Sequence, residues 1–194
     1  EVIHTTTLIV GPGPLHGTDQ IDVTGLTTLS NATIRGTGVL NAYGGMRIDT
    51  TPFFTEIYER TMNVWGTTEV FGTGNLYFFD GAVVNVQPGS LWDMQTDSDL
   101  NQHGGAIGVF NNYGTFRKSG GSGETKATVQ FHNSGTVEVQ TGTVRLTGGS
   151  STGEFSVDAG KTLTVQGHDF LTSSDIHGAG TVNLGSSQVR GTYN

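Results

Sequence analysis

The sequence predicts an all-β fold, a right-handed parallel β-helix (β-solenoid) of about nine short coils with two irregular excursions, and three observations carry that prediction. The composition is that of strands and tight turns: 31 Gly and 30 Thr in 194 residues, with only 4 Pro. A Gly-bearing motif recurs at separations near one or two multiples of about 20 residues, the length of one β-helix turn. Short segments alternate apolar and polar residues, as strands with one inward face do.

Composition comes first because it narrows the class. Apolar residues make up 34% and charged residues 13%. The first value is low for a globular core and the second low for a disordered chain, which usually carries a high net charge. β-branched residues suit strands, and Gly and Asn suit positive-φ corners. The net charge of −8 with 9 Lys and Arg argues against a phosphate-binding surface, so no nucleic-acid partner is expected. The sequence has no Cys, hence no disulfide, zinc-thiolate or thiol chemistry. No apolar run approaches the roughly 20 residues of a membrane helix, so no transmembrane segment is expected.

The motif aliphatic-x-Gly-x-Gly-x-aliphatic occurs at Ile34–Leu40, Val70–Leu76 and Ile176–Val182. Asn-x-Gly-Thr followed by an aromatic or aliphatic residue occurs at Asn112–Phe116 and Asn133–Val137. Between the central glycines 36, 72, 114, 135 and 178 the separations are 36, 42, 21 and 43. Each is read as one or two coils. Alternation is clearest in the C-terminal half, at Val137–Val139, Val144–Leu146, Phe155–Val157, Leu163–Val165 and Val182–Leu184. A single coil buries too little to fold alone, so stability must accumulate through stacked neighbours.

These observations divide one solenoid domain, 1–194, into three stretches. Residues 1–25 show no clear repeat and read as a cap, an irregular coil or an assembly strand. Residues 26–105 read as irregular coils with excursions near 50–62 and 93–105, and residues 106–194 as regular coils. Within the first excursion Phe54, Ile57 and Tyr58 have i, i+3, i+4 spacing after Pro52, which allows a short helix over 53–62 or an irregular loop.

Residues 111–167 (NNYGTFRKSGG through KTLTVQG) and 173–194 (SSDIHGAGTVNLGSSQVRGTYN) resemble the β-solenoid repeats of large bacterial surface proteins. These are autotransporter-passenger-like and filamentous-haemagglutinin-like adhesin repeats. The resemblance implies a secreted or cell-surface location, an elongated rod, and a role in attachment, spacing or assembly. It implies homotypic end-to-end contacts or flanking repeats as partners, and it carries over no catalytic residue. The expectation is a structural or adhesive protein rather than an enzyme. The alternative is a carbohydrate-binding or polysaccharide-degrading β-helix module, with surface glycans as partners.

Pectin-cleaving β-helices need clustered acids with a base, or paired Asp residues. Lys occurs only at 118, 126 and 161, and no close Asp pair recurs at coil spacing. The Gly-x-Gly elements lead into strand-like sequence and not into a helix, as a nucleotide loop would require. No cofactor is expected, with one candidate exception. Asp97, Asp99 and Asn101 alternate as the first ligands of a Ca²⁺ loop do, although the following Gly and the distal Glu are absent. As a solvated polar loop the same residues would form Asx-turns. The aromatics Phe53, Phe54, Tyr58, Tyr77, Phe78 and Phe79 are read as core or lid, with Phe53, Phe54 and Tyr58 the candidate ligand or partner surface if exposed.

Overall fold

A computed structural model describes residues 1–193 and contains 28 β-strands and no helix. Every strand pair is parallel, and the strands fall into three sheets of nine, ten and nine. The chain visits the sheets in strict rotation. The first coil is Val2–Thr5 in sheet 1, Leu8–Val10 in sheet 2 and Gly13–His16 in sheet 3. The ninth is Asp169–Phe170, Asp175–Gly178 and Thr181–Gly185, and Val189 and Thr192–Tyr193 begin a tenth on sheets 1 and 2. This is the predicted β-solenoid of about nine coils. Residues 1–25 are part of it, forming the first coil and the first strand of the second.

Coil length follows from the register of sheet 1. Val2 pairs with Gln20, 18 residues on; Leu40 with Met62, 22 on; Val83 with Val109, 26 on; and Phe131 with Gly149, 18 on. Strand lengths barely change, so the extra residues lie in the corners. The repeat near 20 is therefore an average.

The glycine motifs mark different corners. Gly114 and Gly135 both follow sheet 1 strands, and a Cβ on Gly135 would run into the Gly114 carbonyl oxygen, so these two stack as predicted. Gly36 follows a sheet 3 strand, whereas Gly72 follows and Gly178 ends a sheet 2 strand. The separations of 36, 42 and 43 thus span fractional numbers of coils, and they fall near multiples of 20 because coil length varies.

The excursion near 50–62 contains two ordinary strands, Phe54–Tyr58 and Thr61–Val64, and no helix. Thr55 and Ile57 point inward and are fully buried, while Phe54, Glu56 and Tyr58 point outward. That is period 2, and the helical spacing was incidental. The excursion near 93–105 is part of the longest coil. Its strand Leu100–Gly104 shows a register shift opposite Phe78/Phe79 and pairs onward only at Leu100–Ala127.

The core is a set of inward columns one residue wide. Trp92, Phe110, Phe116 and Phe131 fill its middle, Trp92 edge-on to Phe110 and the three phenylalanines each in contact with the other two, Phe110 lying parallel to Phe131 at 5.3 Å. One inward column of sheet 1 changes character along the rod. After Val64 and Val86 it continues as Asn112, Asn133 and Ser151, all buried, before returning to Phe170. Buried amides need partners. Asn112 Nδ2 donates to Asn133 Oδ1 and to the Thr136 carbonyl, both at 2.8 Å, and Asn133 Nδ2 donates to the Glu154 carbonyl at 3.2 Å.

Candidate functional site

In-register parallel strands place equivalent side chains of successive coils one strand spacing, about 4.8 Å, apart. Each outer face therefore carries ladders running along the rod, and function must be sought in their composition. Sheet 2 bears alternating charges, with Arg47 to Glu69 at 3.3 Å and Arg117 to Glu138 at 2.6 Å. Such pairs lie one coil apart and tie neighbouring strands together.

Sheet 3 carries the candidate aromatic surface. Phe54, Tyr58, Tyr77 and Phe79 stand on its outer face, while Phe78 alone of the six is buried in the core. This corrects the expectation of a core or lid. Phe53, at 64% exposure, projects from the corner after Pro52 and is the most open of the set. The other four outward rings contact one another or neighbouring side chains. Tyr58 and Phe79 stack at 4.1 Å and 7°. The other face of Tyr58 holds the Arg35 guanidinium, 3.9 Å from the ring centroid, and Phe79 meets His103 at 5.1 Å. Tyr77 is edge-on to both Phe54 and His103. Partial burial, joined by the Glu56 carboxylate beside it, raises the Tyr58 phenol above its usual pKa. A sugar ring stacks on a free aromatic face; here the Tyr58 ring is covered by Phe79 and by Arg35, while Phe53 and Phe54 stay exposed.

Of the three candidate Ca²⁺ ligands, Asp97 and Asp99 engage separate partners. Asp97 Oδ1 accepts from Lys118 Nζ at 2.7 Å, and both its oxygens accept from the Gly123 N–H at 3.0 Å. Asp99 Oδ1 accepts from the Lys126 N–H at 2.7 Å. Asn101 stands on the outer face of sheet 3 beside Tyr77. No group of three or more His, Asp or Glu is placed to hold a metal ion among the described residues. Lys118 is fully buried, and its other ammonium hydrogens go to the Thr96 and Gly120 carbonyls at 2.9 Å. Burial pushes the Asp97 carboxyl up, but the hydrogen bonds and charge that face it outweigh burial and hold it below the usual range. Asp97 is thus the counter-ion of a buried ammonium one coil away. The separation of 21 residues, shared with Arg117–Glu138 and Glu124–Arg145, was the signal for it.

Sheet 1 carries a feature that motif reading missed. Asn41 Nδ2 donates to Asp22 Oδ1, Asn63 to Asn41 Oδ1, Asn85 to Asn63 Oδ1 and Asn111 to Asn85 Oδ1, each at 2.8 Å. Hydrogen bonds from Asn41, then Gln20, hold the Asp22 carboxyl below its usual range at the head of this ladder. Beside it runs a column containing Tyr43 and Trp65, stacked at 4.5 Å, then Gln87 and Tyr113. Beyond Tyr113 its column shrinks to Ser134 then Thr152, and beyond Asn111 the amide gives way to the His132 imidazole and then to Ser150. The result is a step in the surface, a depression of about 170 Å³ lined by Asn111, Tyr113, His132, Ser134, Ser150 and Thr152 above the buried Asn133 and Ser151. Below this floor His168 is buried, its Nδ1–H donating to the Gly148 carbonyl at 3.0 Å and its Nε2 accepting from the Ser151 hydroxyl at 2.7 Å. Burial lowers the His168 pKa.

Searches of protein-family models, curated proteins and solved structures return no match to this chain.

Proposed function

We propose that this chain is a structural and adhesive β-solenoid of an extracellular or cell-surface protein, of the kind its adhesin-like repeats resemble, joined end to end with flanking coils or further copies. The observation that carries the reading is the character of the two rod ends. Ile3, which faces inward in the first coil above Ile21, is 47% exposed. At the other end Leu184, Val189 and Tyr193 occupy inward columns above Val165, Phe170 and Ile176 and are 45%, 39% and 56% exposed. Core-type side chains beside strand edges with open N–H and C=O groups are what another coil would cover.

Light scattering and negative-stain electron microscopy of the chain over a wide concentration range test this. The expected result is rods longer than nine coils, about 43 Å at one strand spacing per coil, shortened by Ile3→Lys or Leu184→Lys. Short monodisperse monomers at high concentration, indifferent to both substitutions, would overturn it.

A further inference from the structure

We propose that the step on the outer face of sheet 1, between Tyr113 and Thr152, is a binding site for one sugar unit of a neutral glycan. This rests on the adhesive part of the reading above and assigns it a place and a ligand chemistry.

The amide ladder supplies the first argument. Each amide from Asn41 to Asn111 donates toward the N-terminal end, so the carbonyl oxygens of Asn41, Asn63 and Asn85 are all taken by the next coil. The substitution of His132 for the next Asn ends the chain of amides. Asn111 Oδ1 is left as the terminal acceptor, with no protein donor among the described residues, and it faces the depression. Aligned hydrogen bonds polarise one another, which makes the end of such a chain a better partner than an isolated amide.

The second argument is the inventory of unused groups around that oxygen. His132 Nδ1 is paired with Ser150 Oγ at 3.1 Å, leaving Nε2 available. The Ser134 and Thr152 side chains are exposed and have no protein partner among the described residues. Tyr113 is 45% exposed, and neither its ring nor its hydroxyl has a partner among the described residues, unlike every outward aromatic of sheet 3 in the Arg35 to His103 cluster. One free aromatic wall, a directed carbonyl, an imidazole nitrogen and hydroxyls, within about 170 Å³, match a ring that is apolar on its C–H face and hydroxylated at its edge.

The third argument is charge. No Lys, Arg, Asp or Glu lines the depression. An anionic ligand would find no counter-charge, and a cationic one no carboxylate, so the chemistry selects a neutral glycan.

The test uses neutral hexasaccharides of glucose, xylose, mannose, galactose and N-acetylglucosamine as probes, with binding to the full chain read by calorimetry and saturation-transfer NMR. At least one should bind in the millimolar range or tighter. Tyr113→Ala, and Ser134→Trp to fill the step, should each weaken it about tenfold or more, a change of about 1.4 kcal/mol, with circular dichroism melts showing both variants folded. Phe54→Ala on sheet 3 should leave binding unchanged. Failure of every probe to bind, or binding that survives both substitutions, would overturn the site. Binding to a soluble hexasaccharide does not require rod assembly, so this result and that of the assembly experiment are independent.

Discussion

The aromatic cluster of sheet 3 and the step of sheet 1 are built from similar residues and differ in what those residues have left over. In the cluster, Arg35, Tyr58, Phe79 and His103 cover one another's faces from coil to coil. At the step, the Tyr113 column ends against smaller side chains and the Asn111 ladder against an imidazole, leaving Asn111 Oδ1 and the Tyr113 ring without a protein partner among the described residues. A ladder that continues is a structural device, and a ladder that stops is a place for a ligand. On a solenoid, recognition is therefore to be sought where a column changes residue type.

The largest effect that would test this contrast lies beneath the step. Asn133→Ala removes the acceptor of Asn112 Nδ2 and the donor to the Glu154 carbonyl, both in the buried floor. Losing a buried amide of this kind should cost about 3 kcal/mol, seen as a lower urea midpoint. A neutral outcome would mean that the floor is not held by the amide pair. Next comes the cluster: Tyr58→Ala gives up a stacked ring and the Arg35 contact, about 2 kcal/mol together, whereas Tyr113→Ala, with no ring partner, should stay within about 0.5 kcal/mol. Equal losses at both positions would erase the distinction.

The smallest expected effect is set by pH. Burial lowers the His168 pKa, so the unfolded chain takes up a proton first as pH falls. Stability from this group is full above pH about 6.5 and declines below it, by at most about 1.4 kcal/mol per pH unit until the folded-state pKa is reached. Melting curves between pH 7.5 and 5.5 should show the decline, and His168→Gln should flatten it.

Much of the fold was legible because its signals are local. Val137-Glu-Val139 or Leu163-Thr-Val165 announces a strand whatever follows it, and all of these residues' Val and Leu side chains are buried. The corners were harder. Glycine serves all three, so Gly36 and Gly72 look alike in sequence while sitting at different turns of the coil. The direction of the aromatics was hidden by Thr55, a polar residue in an inward position, which disguised the alternation of Phe54 to Tyr58. The amide ladder has no motif at all. Its members stand 19, 22, 22 and 26 residues apart, from Asp22 through Asn41, Asn63 and Asn85 to Asn111, and only the register of coils of unequal length brings them into line. Asp97 reads as a metal ligand for a related reason: its partner, Lys118, lies one coil away.

Fluorine NMR of the chain labelled with fluorotyrosine tests the central contrast most directly, because its 5 tyrosines include Tyr58 and Tyr77 in the cluster and Tyr113 at the step. On titration with the hexasaccharide that binds best, the Tyr113 resonance should move while those of Tyr58 and Tyr77 stay in place. Movement of Tyr58 or Tyr77 with Tyr113 unaffected would contradict the account and give the recognition surface to sheet 3.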